Sequence, residues 1–241
     1  MTRRMNIILA FVLCVLVPRS GFSEQLVFST IEKTPIAELA ERLLSRAYQE
    51  LGYTIKVVAM PSRRALRMAN SAQFDGELFR IAGVDAVFPN LIPVPYPLIQ
   101  GRLLAVTMES DFKKWNGRSL SGAVVGLRRG IIVAERATVG IQTIVVNDFE
   151  QMLELLRIGR IDVGLVSEVQ GVSSMTDGQM AQVVALSEPV ATFTLYHYLH
   201  KKHRDLVLPL SRVIGQLVES GEFSAIANAV QRSEMSAEPQ K

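Results

Sequence analysis

The segment from Asn147 to Val169 constrains the fold more than any other stretch, because it contains a complete helix–turn–strand unit. Asn147 can cap a helix, and Glu150 three residues later can complete a capping box. The apolar residues that follow share one helical face, and Gly159 can end that helix in a left-handed conformation. The apolar run Ile161–Val166 then predicts a strand that is covered on both faces.

Two polar residues, Ser167 and Glu168, follow this predicted strand directly. They would lie at the carboxyl end of the strand, where open α/β sheets bind ligands. A weaker version of the same unit lies upstream, with a helix through Arg64–Asn70 followed by Phe74–Arg80. Two such units far apart in one chain predict two similar lobes.

Strands and helices alternate on both sides of a proline-rich segment, Phe88–Pro97, which holds four of the chain's prolines. Proline removes a backbone donor and fixes φ, so this segment is predicted to be an extended surface path. The alternation before it runs from a strand at Leu26–Thr30 to the strand at Phe74–Phe79, and a second series begins at Ala123. This order predicts an α/β fold with a mainly parallel sheet.

The first 23 residues have the pattern of a secretory signal peptide. Arg3 and Arg4 precede an apolar core at Ile7–Val17, and Gly21-Phe22-Ser23 offers small residues at the cleavage positions. The apolar core is short for a membrane span, which disfavours the alternative of an uncleaved anchor. We therefore expect cleavage after Ser23 and a periplasmic location.

Removal of this segment changes the charge of the protein. Three of the 26 basic residues leave with it, so 23 basic residues face 23 acidic ones, and the isoelectric point near 9.1 belongs partly to the signal. A nucleic-acid or membrane-surface role loses its main support. The only cysteine, Cys14, also leaves, so the mature chain is expected to lack disulfides and thiol chemistry.

Several motifs resemble those of bacterial extracellular solute-binding proteins of family 3, which serve ABC importers. Leu120–Gly122 with Val125–Gly130 resembles a strand and loop of the family, and Asn147–Val169 resembles its "L-x-x-G-R-I-D-A" helix and strand. Ala72–Gly76 and Pro95-Tyr96 resemble shorter motifs of the first lobe. The resemblance covers essentially all of the chain after residue 23.

The resemblance implies a two-lobed periplasmic-binding-protein-like type II fold with two crossing hinge strands. The expected first lobe comprises residues 24–104 and 194–241, and the expected second lobe residues 105–193. It implies a monomer that captures a small solute between its lobes, without cofactor or metal, and delivers it to an ABC permease. The importers that the family serves carry amino acids and similar small solutes, so the resemblance implies a role in transport of that kind.

The sequence departs from the amino-acid-binding members at three places. Ser167 stands where they have an aspartate for the amino group, although Glu168 is adjacent. Ile131 and Ile132 follow Gly130 where they have hydroxyl residues, which leaves only backbone donors for a carboxylate. Their arginine that pairs with the ligand carboxylate has no clean match after Arg80. The amino-acid pocket is therefore poorly matched.

Four residues of the first lobe are further candidates for ligand binding. Arg80, at the end of its strand, can clamp a carboxylate, or it can pair with Glu77. Glu77 can hold an amine or neutralise Arg80. Thr30 and Glu32 follow the first strand and can line the cleft or form a helix-capping loop. With Gly130, Ser167 and Glu168, these residues complete the predicted site.

The sequence gives little support for a metal site or for a basic anion-binding surface. His197, His200 and His203 are spaced so that a strand or helix turns them in different directions, so a metal site is not predicted. A basic helix face at Arg63, Arg64 and Arg67 is interpreted as solvated surface.

Three classes of function remain. The first is a periplasmic solute-binding protein for a small anionic or zwitterionic molecule. The second is a periplasmic sensor acting on a membrane partner. The third is a dehydratase-type enzyme on the same fold, with Glu77 or Glu168 as general acid or base.

Overall fold

A computed structural model describes residues 24–169 and 172–236 of the 241-residue chain. The predicted signal peptide lies outside the described residues. The strands are β1 (Glu24–Ile31), β2 (Tyr53–Met60), β3 (Gly76–Ile81), β4 (Leu91–Pro93), β5 (Ile99–Thr107), β6 (Val125–Arg128), β7 (Thr143–Val146), β8 (Val163–Val169), β9 (Val172–Ser173), β10 (Val184–Ala185) and β11 (Ala191–His200). The helices are α1 (Ile36–Glu50), α2 (Ser62–Asn70), α3 (Phe112–Trp115), α4 (Ile132–Ala137), α5 (Phe149–Arg157), α6 (Asp177–Met180), α7 (Arg204–Glu219) and α8 (Glu222–Ser236).

One continuous sheet runs through both lobes in the order β2-β1-β3-β11-β5-β8-β6-β7. β2, β1 and β3 are parallel, as are β7, β6 and β8, which is the arrangement that alternating strands and helices predict. β11 and β5 in the middle are antiparallel to each other and to their outer neighbours. The fold is therefore α/β and two-lobed, as the sequence predicts.

The two central strands β5 and β11 connect the lobes. Ala191–Leu195 of β11 pairs with Ile99–Leu103 of β5, and β5 continues into the second lobe beside β8. The lobe boundaries predicted at residues 104/105 and 193/194 fall within these two strands. Those boundaries stay a prediction, but the crossing strands themselves are present.

The first lobe is organised around one large apolar core between the sheet and helices α1, α7 and α8. α1 presents an apolar stripe that includes Leu39, Leu43 and Leu44, all fully buried. This stripe recurs at the helical spacing of three and four residues, which is why the segment folds as an amphipathic helix on the sheet. None of the described helices has the length and apolarity needed to cross a membrane.

The unit that begins at Asn147 folds nearly as predicted, with one correction at its start. Asp148, rather than Asn147, is the N-cap of α5, and its side chain accepts from the backbone N–H of Gln151 at 2.9 Å. The Gln151 side chain in turn accepts from the N–H of Asn147, so the capping residues are shifted by one position from the prediction. Gly159 has φ of +66° and ends the helix as expected.

Two other predictions of local structure are wrong, and both fail because distant strands pair with the segment. β8 extends to Val169, so Ser167 and Glu168 lie within the strand, paired with Leu103 and Arg102 of β5. The proline-rich segment contains β4, which pairs with β11, and its Val94 is fully buried rather than on the surface.

Candidate functional site

A cavity of about 60 Å³ lies between the two lobes. The first lobe contributes Ile31, Phe79, Arg80 and neighbouring residues, and the second lobe contributes Gly130, Ser167, Ser174 and the start of α4. Small-molecule pockets usually measure about 300–1,000 Å³, whereas a single water needs only about 10–15 Å³ of such space. In this conformation the cavity therefore has room for a few non-hydrogen atoms.

Arg80 is the charged residue of this cavity, and it is bound to a second buried charge behind it. Arg80 Nη2 lies 2.5 Å from Glu77 Oε1, and the two side chains are 3% and 0% exposed. Ser29 Oγ donates to the other carboxylate oxygen of Glu77 at 2.5 Å. Burial raises the pKa of Glu77 to about 7, while Arg80 and Ser29 oppose that rise. Burial also lowers the pKa of Arg80.

The pair is connected to the second lobe through Ser62, the first residue of α2. Arg80 Nη1 donates to Ser62 Oγ at 2.9 Å, and Ser62 Oγ donates across the cleft to the carbonyl of Gly130 at 2.7 Å. Gly130 has φ of +79°, and a Cβ at this position would lie 2.7 Å from the Cβ of Ser62. The close approach of the lobes here requires glycine for both reasons.

Further polar contacts close the cleft at its edges. Arg128 of the second lobe is buried and donates to the backbone carbonyls of Glu32 at 2.8 Å and Lys33 at 3.1 Å. Arg63 of α2 pairs with Glu135 of α4 at 3.3 Å on the exposed rim. These contacts, like the Ser62–Gly130 bond, join protein groups directly across the cleft.

The cavity is mostly apolar because Ile131 enters it from the second lobe. Ile131 packs against the core of the first lobe as well as that of its own. Ser167 and Ser174 are buried, and Ser174 Oγ accepts from the backbone N–H of Ser167 at 3.1 Å. The polar side chains that line this space are therefore one guanidinium, from Arg80, and the three hydroxyls of Thr34, Ser167 and Ser174. Arg80 Nε is buried without a hydrogen-bond partner among the described residues.

The structure divides the predicted site residues into two groups. Arg80, Gly130 and Ser167 line the cavity together. Glu77 lies behind Arg80 and takes the alternative role of its ion-pair partner.

The remaining three predicted residues lie elsewhere. Thr30 is buried, with a hydroxyl that has no partner among the described residues, and Glu32 contributes its backbone carbonyl to Arg128. Glu168 lies on the opposite face of β8 from Ser167, because side chains alternate along a strand.

Three residues of the cavity region escape sequence reasoning. Ser62 looks like an ordinary first residue of a helix after Pro61, and only the approach of Gly130 gives it an interlobe role. Ser174 lies in a loop whose sequence gives few signals, and Ile131 stands out in the sequence only because it replaces a hydroxyl residue. A polar residue at the start of a helix that follows a cleft strand is the one signal that could have identified Ser62.

The three histidines have structural roles. His197 is fully buried, with Nε2 2.8 Å from the Tyr48 hydroxyl and Nδ1 3.0 Å from the Leu78 carbonyl, and burial lowers its pKa to about 4. His203 pairs with Asp75 at 2.7 Å, and His200 accepts from the N–H of Lys202. Within residues 24–169 and 172–236, no three acidic, histidine or cysteine side chains are grouped to hold a metal.

Comparison with other proteins identifies the fold. No protein-family model matches the chain. A protein of Shewanella oneidensis, itself described as uncharacterized, is 29% identical over 198 residues, which are 76% of this chain and 72% of that protein.

Three solved structures illustrate the likeness in fold. A histidine kinase sensor domain with similarity to periplasmic binding proteins superposes with a TM-score of 0.68 at 15% identity, over 86% of this chain and 96% of that domain. An amino acid ABC transporter substrate-binding protein of Streptococcus pneumoniae bound to L-arginine gives 0.67 at 14% identity, over 87% and 95%. The GluR0 ligand-binding core with L-glutamate gives 0.70 at 10% identity, over 88% and 100%. The chain therefore has the two-lobed fold of periplasmic binding proteins like those of family 3.

Proposed function

We propose that this protein is a periplasmic solute-binding protein that captures a small anionic or zwitterionic molecule between its lobes and presents it to an ABC permease. The observation that carries the proposal is the convergence of Arg80, Gly130 and Ser167 on one cavity between the lobes. The fold places these residues on different lobes, so a ligand that contacts all three stabilises only the closed arrangement. A membrane partner can then recognise the closed shape.

The chemistry of the cavity supports a ligand smaller and less polar than arginine. Arg80 offers a guanidinium to a carboxylate, but Glu77 already balances its charge. Ser167 offers a neutral hydroxyl at the position where binding of a ligand's ammonium group would require a carboxylate side chain. Most of the remaining surface is aliphatic. A short-chain carboxylate with an aliphatic body fits this set of groups best, and a larger solute requires Ile131 to move.

A thermal-shift screen tests the proposal directly. The purified protein is melted with a panel of amino acids, short aliphatic carboxylates and small peptides, since a ligand that binds only the folded state raises the melting temperature. We expect stabilisation by at least one small carboxylate and little by basic amino acids. If no member of the panel stabilises the protein at about 100 times a micromolar Kd, solute capture is contradicted.

A pair of variants locates the binding. Ser167→Ala removes a hydroxyl from the cavity and should weaken the shift, whereas Ser173→Ala, in the neighbouring strand β9, should leave it unchanged. Ile131→Ala enlarges the cavity and should admit longer carboxylates than the unmodified protein accepts. Equal responses from all three variants would place the ligand outside the cleft.

A sensor that acts on a membrane partner is the second candidate function. It is favoured by the likeness to a histidine kinase sensor domain. Neighbouring genes distinguish the two: a permease and ATPase favour transport, whereas a membrane kinase or cyclase favours sensing.

We infer binding rather than catalysis. Both carboxylates that a dehydratase would require are held in ion pairs with arginines, Glu77 with Arg80 and Glu168 with Arg102. The solved structures described above are binding proteins and a sensor domain. Turnover of prephenate-like substrates above background would contradict this inference.

A further inference from the structure

A second and larger pocket lies on the other face of the hinge strands. It has a volume of about 810 Å³, within the range of about 300–1,000 Å³ that is usual for small-molecule sites. We call it the hinge groove and define it by six lining residues: Arg102, Arg136, Glu168, Phe193, Thr194 and Tyr196. Alternation along the strands explains its position, because Ser167 faces the cleft while Glu168 faces the groove.

The groove has an uneven distribution of charge. At one end, Arg102 and Glu168 form an ion pair at 2.6 Å, so their charges balance. At the other, Arg136 Nη1 donates to the backbone carbonyl of Ala82 at 3.2 Å. That partner is neutral, so the contact leaves the positive charge of Arg136 available to an anion.

The surface between the two charged ends suits a planar apolar group. Tyr196 of β11 is a half-buried aromatic residue of the groove, and Ile81 and Val133 add aliphatic surface. The Phe193 ring lies on the other face of the strand, over Gly101. Aromatic side chains contribute large apolar contact areas and favour stacking with other rings. The hydroxyl of Thr194 and the amide of Gln100 add hydrogen-bonding groups on the same floor.

We propose that the hinge groove is a second binding site, for an amphipathic organic anion that has an aromatic body and one carboxylate. The carboxylate contacts the Arg136 guanidinium, and the ring packs on Tyr196, Ile81 and Val133. Such a ligand uses both features that set the groove apart from ordinary surface: a concave floor that includes an aromatic side chain, and one arginine without an acidic partner in its observed contact. Such a ligand can bind whether or not the cleft captures a solute.

Occupancy of the groove is coupled to the arrangement of the lobes. Its walls come from the first lobe at Ile81 and Ala82 and from the second lobe at Val133 and Arg136. Ile81, Val133 and Phe193 line the cleft cavity as well. A ligand in the groove therefore contacts residues that also line the cleft, and it favours the lobe orientation in which Arg136 reaches Ala82.

Titration calorimetry with a matched pair of probes tests the proposal. Naphthalene-2-carboxylate carries the ring and the anion, and naphthalene-2-carboxamide carries the same ring without charge. We expect the carboxylate to bind with a Kd below about 1 mM and the carboxamide about tenfold more weakly, as the loss of one charged hydrogen-bonded contact implies. Arg136→Gln should weaken carboxylate binding by about the same factor and leave the carboxamide unchanged.

Steric variants distinguish the groove from the cleft. Thr194→Trp fills the groove and should abolish carboxylate binding, whereas Thr143→Trp, on an exposed position of the distant strand β7, should not. Ser167→Ala alters the cleft and should leave carboxylate binding unchanged. The proposal is overturned if both probes bind equally, if Arg136→Gln and Thr194→Trp have no effect, if only Ser167→Ala has one, or if neither probe binds at about 10 mM.

Discussion

Two arginine–glutamate ion pairs flank the hinge, and they differ strongly in how far their side chains are exposed to solvent. Arg80 and Glu77 are 3% and 0% exposed and lie behind the cleft cavity, whereas Arg102 and Glu168 are 55% and 23% exposed and lie in the hinge groove. The residue types and the distances, 2.5 Å and 2.6 Å, are nearly the same. Burial alone therefore separates a pair that the fold depends on from a pair that water can replace.

The largest expected effect is the loss of one partner from the buried pair. Arg80→Met leaves the Glu77 carboxylate without its counter-charge and should reduce the free energy of unfolding by about 3–5 kcal/mol. Urea denaturation measures the change. As a control, the double variant Glu77→Leu/Arg80→Met removes both charges and should recover most of the lost stability, since an apolar pair can replace a buried ion pair. A double variant as unstable as the single one would contradict the burial argument.

The pH dependence of stability reports on Glu77. Burial raises its folded pKa to about 7 from an ordinary value of 4.5, so the folded protein holds a proton there that the unfolded chain releases. The contribution of Glu77 is complete below pH 4.5 and is lost as pH rises towards 7, by up to about 3 kcal/mol. The difference in unfolding free energy between the unmodified protein and Glu77→Gln, measured from pH 4.5 to 8, should fall over this window.

His197 provides a control of opposite sign for that measurement. Its folded pKa is lowered to about 4 from 6.5 by burial, so its contribution is present above pH 6.5 and is lost as pH falls towards 4. The difference between the unmodified protein and His197→Gln should therefore rise with pH where the Glu77 difference falls. Two differences of the same slope would show that one of the assigned burial effects is wrong.

An intermediate effect is expected where the buried pair is joined to the second lobe. Gly130→Ala imposes a side chain at φ of +79° and brings a Cβ within 2.7 Å of Ser62. Gly159→Ala is the matched control, because its φ is +66° but no atom lies within 4 Å of the added Cβ. Both variants should lose about 1 kcal/mol from backbone strain. Only Gly130→Ala should also enlarge the radius of gyration in solution scattering, and equal radii would argue against a tight contact there.

The smallest effect is expected for the exposed pair. Arg102→Gln should change the free energy of unfolding by less than about 1 kcal/mol, because a solvated ion pair contributes little. The same urea measurement applies, and 1 M salt should remove most of any difference. If Arg102→Gln lost as much unfolding free energy as Arg80→Met, burial would not explain the difference between the two pairs.

The sequence predicts the individual helices, strands and helix ends of this fold well. It predicts the contacts between segments that are distant in the chain poorly. The apolar stripe of α1, the stop at Gly159 and the alternation of strands and helices are all encoded within a few neighbouring residues. The end of β8 is different, because β5, some sixty residues away, supplies the backbone partners of Ser167 and Glu168. The two residues thus alternate across a strand and face different pockets.

In the candidate site, too, local contacts can be predicted from the sequence and contacts between the lobes cannot. The position of Arg80 near the end of its strand can be read from the sequence, and its partner Glu77 is only three residues away, so this contact is local. The bond from Ser62 to Gly130 joins residues 68 positions apart and depends on how closely the lobes approach. The volume of the cavity depends on the same approach, so neither could be read from the sequence.

The continuous sheet has a mechanical consequence. Because β11 and β5 are paired along Ala191–Leu195 and each has a further strand on its outer side, the lobes cannot pivot on a slack loop without breaking ladder hydrogen bonds. Their relative rotation must instead be distributed as a change of twist over neighbouring strands, which sheets accommodate readily. Any change in the angle between the lobes is therefore a change in the twist of two fully paired strands, and it is felt along the whole sheet.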